Sequence, residues 1–145
     1  MALDVVVTAE INKNRKDVAE YAFEPTNDPV WIGGITQAKL LTDRPIEKGT
    51  QVQRLAKFMG KTFDYILEVH EFEPDYLMVM ESVKSPFPMK VTYKFDDLEN
   101  NKTLAQIRVQ GSAGGYYGFA DFLMASIVKR NLKGDLRRLK TIMEK

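Results

Sequence analysis

The chain has 145 residues, about one ordinary domain, and 44% of them are apolar, which is enough for a core and argues against disorder. Charged residues make up 28% but nearly cancel to a formal +1, so a whole-surface nucleic-acid binder is not expected. With no cysteine and one histidine, disulfide scaffolds, thiolate metal sites and multi-histidine sites are excluded, and neither a metal nor another cofactor is expected. No run approaches the roughly 18 apolar residues of a membrane span, so stable membrane insertion is not expected. The start MALDVVV has neither a basic opening nor a small-residue cleavage pattern, and the expectation is a soluble cytoplasmic protein, one domain over 1–145.

In chain order, Leu3 to Asn12 reads as a strand, with Val5, Val7, Ala9 and Ile11 on one face and Val6 breaking the alternation. Asn14 to Phe23 follows as a short helix with Val18, Tyr21 and Ala22 on one side, stopped by Pro25. Asn27 to Trp31 predicts a second helical turn, with Asn27 or Asp28 as its cap, Pro29 at its first position and Gly33-Gly34 as its end. The period then changes to two. Strands are predicted over Ile35–Thr42, Thr50–Met59, Thr62–Phe72, Tyr76–Val83, Met89–Phe95 and Thr103–Gln110, with turns at Asp43–Gly49, Gly60-Lys61, Glu73–Asp75, Lys84–Pro88 and Asp97–Lys102. The alternation is cleanest in the third of these, where Phe63, Tyr65, Leu67 and Val69 oppose Asp64, Glu68 and His70. Tyr76–Val83 is apolar on both faces and leaves its register open.

Phe119 to Met143 is the one long segment with a helical apolar period. At about 100° per residue, Ala125, Val128, Leu132, Leu136, Leu139 and Met143 form a single stripe that must be buried. Short sequential connections imply antiparallel pairing. The predicted architecture is therefore α+β: a curved seven-stranded antiparallel sheet wrapped around the C-terminal helix, with two short helices after the first strand.

Several strings carry a resemblance in this order. They are Asp28-Pro-Val-Trp31; Gly60-Lys-Thr-Phe63 leading to Glu68-Val-His-Glu-Phe-Glu-Pro74; Ser85-Pro-Phe-Pro-Met89 before Val91-Thr-Tyr-Lys-Phe95; and Asp135-Leu-Arg-Arg-Leu-Lys140. Together they resemble the helix-grip (START, SRPBCC) superfamily, and within it the bacterial polyketide cyclase/dehydrase-like branch. The resemblance implies an apolar cavity between sheet and long helix that binds lipids, polyketides or other hydrophobic molecules. It implies cyclisation or dehydration in some members. The chain departs from the allergen-like branch at Asp43–Gly49, where one glycine and a proline replace a glycine-rich turn, so nucleotide binding is not expected. Gly111 to Gly115 follows a strand and precedes a helix but lacks the βαβ context of a dinucleotide loop.

Three functions compete: a binder of a hydrophobic small molecule, a polyketide cyclase or dehydratase using a buried carboxylate or tyrosine, and a cochaperone-like interaction module. The expected ligand walls are Trp31, Phe63, Tyr65, Tyr93, Phe95, Phe122 and Ala125, with the large Leu132, Leu136, Leu139 and Met143 as solid core. The acid–base candidates are Glu81, Asp121 and Tyr65. Glu81 faces the cavity if Leu77, Val79 and Val83 point inward, and solvent if Met78 and Met80 do. Asp121 either points into the cavity or charges the first turn of the helix. His70 reads as a solvated histidine on a polar face. Phe119, Leu123 and Ile127 give the helix a second apolar face, for packing, a homodimer or a membrane-touching portal.

Overall fold

The computed structural model describes residues 3–58, 60–85, 88–111 and 118–145, and only the backbone of 118–123. Strand β1 (Leu3–Ile11) leads to helix α1 (Arg15–Ala22), a 3-10 turn at Pro25–Asn27 and helix α2 (Asp28–Trp31). Then come β2 (Ile35–Leu40), β3 (Gln51–Phe58), β4 (Lys61–Glu73), β5 (Leu77–Lys84), β6 (Met89–Leu98) and β7 (Lys102–Gly111), and helix α3 (Gly118–Met143). This is the predicted α+β order. Most strand boundaries fall within two residues of those expected from the alternation.

The described strands form one antiparallel sheet in the order β1-β7-β6-β5-β4-β3-β2. From β2 to β7 each strand pairs with the next in sequence, while β1 lies beside β7 at the opposite edge from β2. The segment 12–34, carrying α1 and α2, must therefore carry the chain from one edge of the sheet to the other. Irregular register between Ile35 and Gln37, around Val83, and at His70 marks bulges that bend and twist the strands. At His70 the ladder steps from Val69↔Met80 to Glu71↔Val79, so the parity of β4 changes and Phe72 joins the inner face.

Both edges meet α3. On one side, Lys140 Nζ donates to the Glu10 carbonyl of β1 at 2.9 Å. On the other, Asp135 Oδ1 accepts from the Gly33 amide at 2.8 Å, and Arg138 Nε donates to the Trp31 carbonyl at 2.9 Å. The last string of the resemblance, 135–140, is thus the clasp that holds α3 to the end of α2 and to β1. Gly33 permits the clasp, since a Cβ there would lie 2.6 Å from Arg138 Nη2. Gly34 has φ +88°, and a Cβ there would lie 2.7 Å from the Lys57 carbonyl oxygen, which leaves glycine as the residue that fits.

The inner face follows the predicted pattern. Val5, Val7 and Ile11, then Tyr65, Leu67 and Val69, then Val91, Tyr93 and Phe95, and Ala105 and Ile107 are all buried. On α1 the Asn14 side chain accepts from the Asp17 amide as an N-cap, and Val18, Ala19 and Ala22 face the core. Neither expected cap of α2 serves as one: Asn27 makes no side-chain cap bond, and the Asp28 carboxylate is taken up by Arg54. The open register of β5 resolves with Met78 and Met80 inward. Along α3, Leu136 and Leu139 are sealed in the core, and Ala125, Val128, Leu132 and Met143 pack against it partly buried.

Leu139→Ala should destabilise the fold by about 2–5 kcal/mol, the range for fully enclosed leucines. Leu132→Ala, at a partly buried site, should cost about 1 kcal/mol. Urea titration with an unchanged slope would check both; equal losses would contradict the division of α3 into a packed and a loosely covered half.

Candidate functional site

A cavity of about 530 Å³ lies between the inner face of the sheet and α3. That volume is within the range of small-molecule pockets, about 300–1,000 Å³. Its sheet wall comes from β3 and β4 (Arg54, Ala56, Phe58, Phe63, Tyr65) and from β6 and β7 (Val91, Tyr93, Ile107, Val109). Its helix wall is Met124, Val128, Asn131, Leu132 and Asp135, and Trp31 with Ile32 and Gly33 closes part of one side. Lys57, Lys61 and Asn131 are exposed and form part of the rim.

The walls are apolar by strand parity. In β3 the inward set is Val52, Arg54, Ala56 and Phe58, and these pair across to Leu67, Tyr65, Phe63 and Lys61 of β4. One member of that set is a cation. Arg54 is only 4% exposed, and it meets Asp28, 2% exposed. Arg54 Nε lies 3.0 Å and Nη2 2.9 Å from Asp28 Oδ2, and Nη2 also donates to the Tyr93 hydroxyl at 3.1 Å. Among the described residues no acceptor meets Nη1. A second void of about 10 Å³, roughly one water in size, borders Asp28, Arg54 and Tyr93.

Burial pulls the Arg54 guanidinium toward its neutral form, but the Asp28 charge, with Tyr93 and Tyr65, outweighs this and holds it firmly protonated. Burial pushes the Asp28 carboxyl above its ordinary value, and Arg54 opposes the shift. Burial also pushes the Tyr93 hydroxyl up to about 12, so Tyr93 keeps its proton while its oxygen accepts from Arg54. That proton is left to donate. Asp135 is raised too, first by burial, against the Gly33 amide and Arg138.

Tyr65 borders the same space, and the Trp31 ring packs at its side. The Tyr65 hydroxyl has no hydrogen-bond partner among the described residues, and Tyr65 stands directly across the ladder from Arg54. Trp31 is completely buried, packs its ring 5.6 Å from that of Tyr93, and its indole Nε1 is unpartnered among the described residues. The cavity wall is therefore a hydrocarbon surface broken by a cluster of hydrogen-bond donors.

Of the expected wall residues, Trp31, Phe63, Tyr65 and Tyr93 line this cavity. Phe95 does not. It is fully buried on the other side of the core, with its ring 5.4 Å from that of Phe23, because it lies one inward step beyond Tyr93 on β6, toward α1. Ala125 packs against the core, and its neighbours Met124 and Val128 border the void. Leu132, expected as solid core, also borders the void. The side chains of Phe122, Asp121, Phe119 and Leu123 lie outside the described residues, as do 112–117 of the glycine-rich lead; Ile127 is partly exposed.

Glu81 takes the solvent-facing register. It is cross-strand from Glu68 on the outer face, and its Oε2 lies 2.7 Å from His70 Nδ1, with Glu68 3.9 Å from Nε2. His70 thus sits between two carboxylates, each of the three partly exposed, and none belongs to the cavity. Sequence reasoning missed Asp28 and Arg54. The available signal was the parity of β3, which places an arginine among Val52, Ala56 and Phe58.

No family model matches the chain, and no curated protein sequence matches it. Solved structures do. The protein TTHA0849 from Thermus thermophilus superposes with a TM-score of 0.81 at 15% identity, over 95% of this chain and 94% of that one. The Zhui aromatase/cyclase from a Streptomyces species gives 0.80 at 15% identity over 97% and 93%. A START superfamily protein from Mycobacterium smegmatis gives 0.80 at 13% identity over 97% of each chain. The chain has the helix-grip fold of these structures.

Breaking the buried pair from one side should be costly. Asp28→Leu or Arg54→Met alone should destabilise by about 3–5 kcal/mol, because each strands a charge. The double variant should recover most of that loss. A thermodynamic cycle by chemical denaturation measures the coupling, and additive losses would mean that the two charges do not depend on each other.

Proposed function

We propose that this protein binds a hydrophobic small molecule in the cavity between the sheet and α3, in the cytoplasm. The observation that carries the reading is the cavity itself: about 530 Å³ lined by Ala56, Phe63, Val91, Ile107, Val128 and Leu132, with Arg54, Tyr65, Tyr93 and Trp31 grouped on its wall. Apolar walls supply affinity through buried area, and a few fixed polar groups orient the guest. An interaction module acting through its surface needs no such interior. A cyclase or dehydratase, the reading that the likeness in fold to an aromatase/cyclase supports, needs a free acid–base group. The buried carboxylates of the described residues, Asp28 and Asp135, are each held by a guanidinium, and Glu81 faces outward. Binding thus fits the charge arrangement better than carboxylate-driven catalysis.

Native mass spectrometry of freshly purified protein should show a hydrophobic passenger released on unfolding. An environment-sensitive apolar dye should bind and quench or shift the emission of Trp31, the single tryptophan. Val128→Trp should abolish dye binding while circular dichroism and the melting midpoint stay near wild type. Unchanged dye binding in that variant would overturn the proposed site.

A further inference from the structure

We propose that the Asp28–Arg54 pair acts as a charge filter: it makes the cavity take a hydrophobic molecule through a neutral oxygen acceptor, such as an ester, ketone or alcohol, and reject the matching carboxylate. This rests on the binding reading above and names the chemical class of its ligand.

The polar groups of the wall nearest Arg54 offer donors, while Ser85, Gln110 and Asn131 elsewhere on the lining can donate or accept. Tyr93 gives its oxygen to Arg54 and retains its proton, and neither Arg54 Nη1 nor the Tyr65 hydroxyl has a hydrogen-bond partner among the described residues, while Trp31 Nε1 is sealed from the cavity. A ligand oxygen is the group that satisfies such a set. An arginine in a cavity would ordinarily call for an anion. Here its charge is already spent on Asp28, 2.9 Å away and equally buried. The carboxylate of the described wall, Asp135, is matched by Arg138, and Arg54 is matched by Asp28 behind the wall, so the two pairs cancel. A carboxylate brought among Val91, Tyr93, Ile107 and Leu132 would add an unmatched charge in a poorly hydrated space, or would have to take up a proton. An ester or ketone oxygen accepts the same hydrogen bonds without that charge. Lys57 and Lys61 are exposed at the rim, where water and salt screen their pull on an anion.

The test is competition against a bound apolar dye at about pH 7.5 and about 0.15 M salt, with methyl laurate and laurate as probes of equal chain length. Wild-type protein should bind the ester about tenfold or more tighter than the carboxylate. Asp28→Asn keeps an oxygen for Arg54 but removes the compensating charge, so laurate should gain about tenfold or more while the ester changes little. If that variant does not fold, Asp28→Leu/Arg54→Met should fold with no net charge change and should keep only part of the ester's advantage over an alkane of equal length, with Tyr65 and Tyr93 remaining as donors; an undiminished advantage would overturn the part given to Arg54. Equal affinity for ester and carboxylate in the wild type would overturn the filter and leave the binding reading standing. Failure of the dye and both probes to bind would overturn both.

Discussion

A guanidinium on the inner face of an otherwise apolar sheet is the constraint around which this molecule is arranged. An isolated charge cannot stay there at tolerable cost, so a counter-charge must be delivered to it. The chain delivers Asp28 from α2, a single helical turn that would hardly persist alone. Asp28 is thereby withdrawn from capping that helix. Trp31, three residues on, is pressed onto Tyr93, and Tyr93 in turn holds Arg54 through its hydroxyl. The end of α2 is then fastened to α3 through Gly33, Asp135 and Arg138. One buried ion pair therefore sets where α2 sits, and α2 sets one wall of the cavity.

The helix does two jobs along its length. Its C-terminal half brings Leu136 and Leu139 into full contact with the sheet and bridges to β1 through Lys140. Further toward its N-terminus, Val128 and Leu132 face open space and cover the sheet without filling it. A protein of this size has limited apolar area to spare for stability. Leaving a void of this volume forgoes dispersion contacts on both its walls. The sealed region around Phe23, Phe72 and Phe95, at the far side of the core, supplies packing that the cavity side lacks.

Most of the architecture was legible in the residues because period-two and period-3.6 patterns are local. Alternation alone puts Phe63, Tyr65, Leu67 and Val69 on one face, and the helical period alone makes the α3 stripe. The cavity was legible as an enclosure but not in its polar contents. Depth along a strand is not written in alternation: Tyr93 and Phe95 share a face, yet one borders the void and the other is core against Phe23. The register of Leu77–Lys84 was undetermined because both faces are apolar, and only pairing with β4 and β6 places Glu81 outside. Asp28 looked like a helix cap because caps and buried counter-ions use the same side chains. What distinguishes them is a partner 26 residues away that local reasoning does not reach.

The sheet order has a consequence for how the chain assembles. From β2 to β7 each strand finds its partner next door in sequence, so that meander can form by successive hairpins. β1 has no such neighbour. Its ladder joins Leu3 to Gly111 and Ile11 to Thr103, and every rung must wait until the meander's last strand exists. Long-range pairing of this kind slows folding, since the loop must close before any contact rewards it. During synthesis β1, made before the meander, is thus the last of these strands to be paired. Until then the apolar face of Leu3, Val5, Val7 and Ile11 is a length of unclaimed strand, and the molecule is most open to aggregation in that interval.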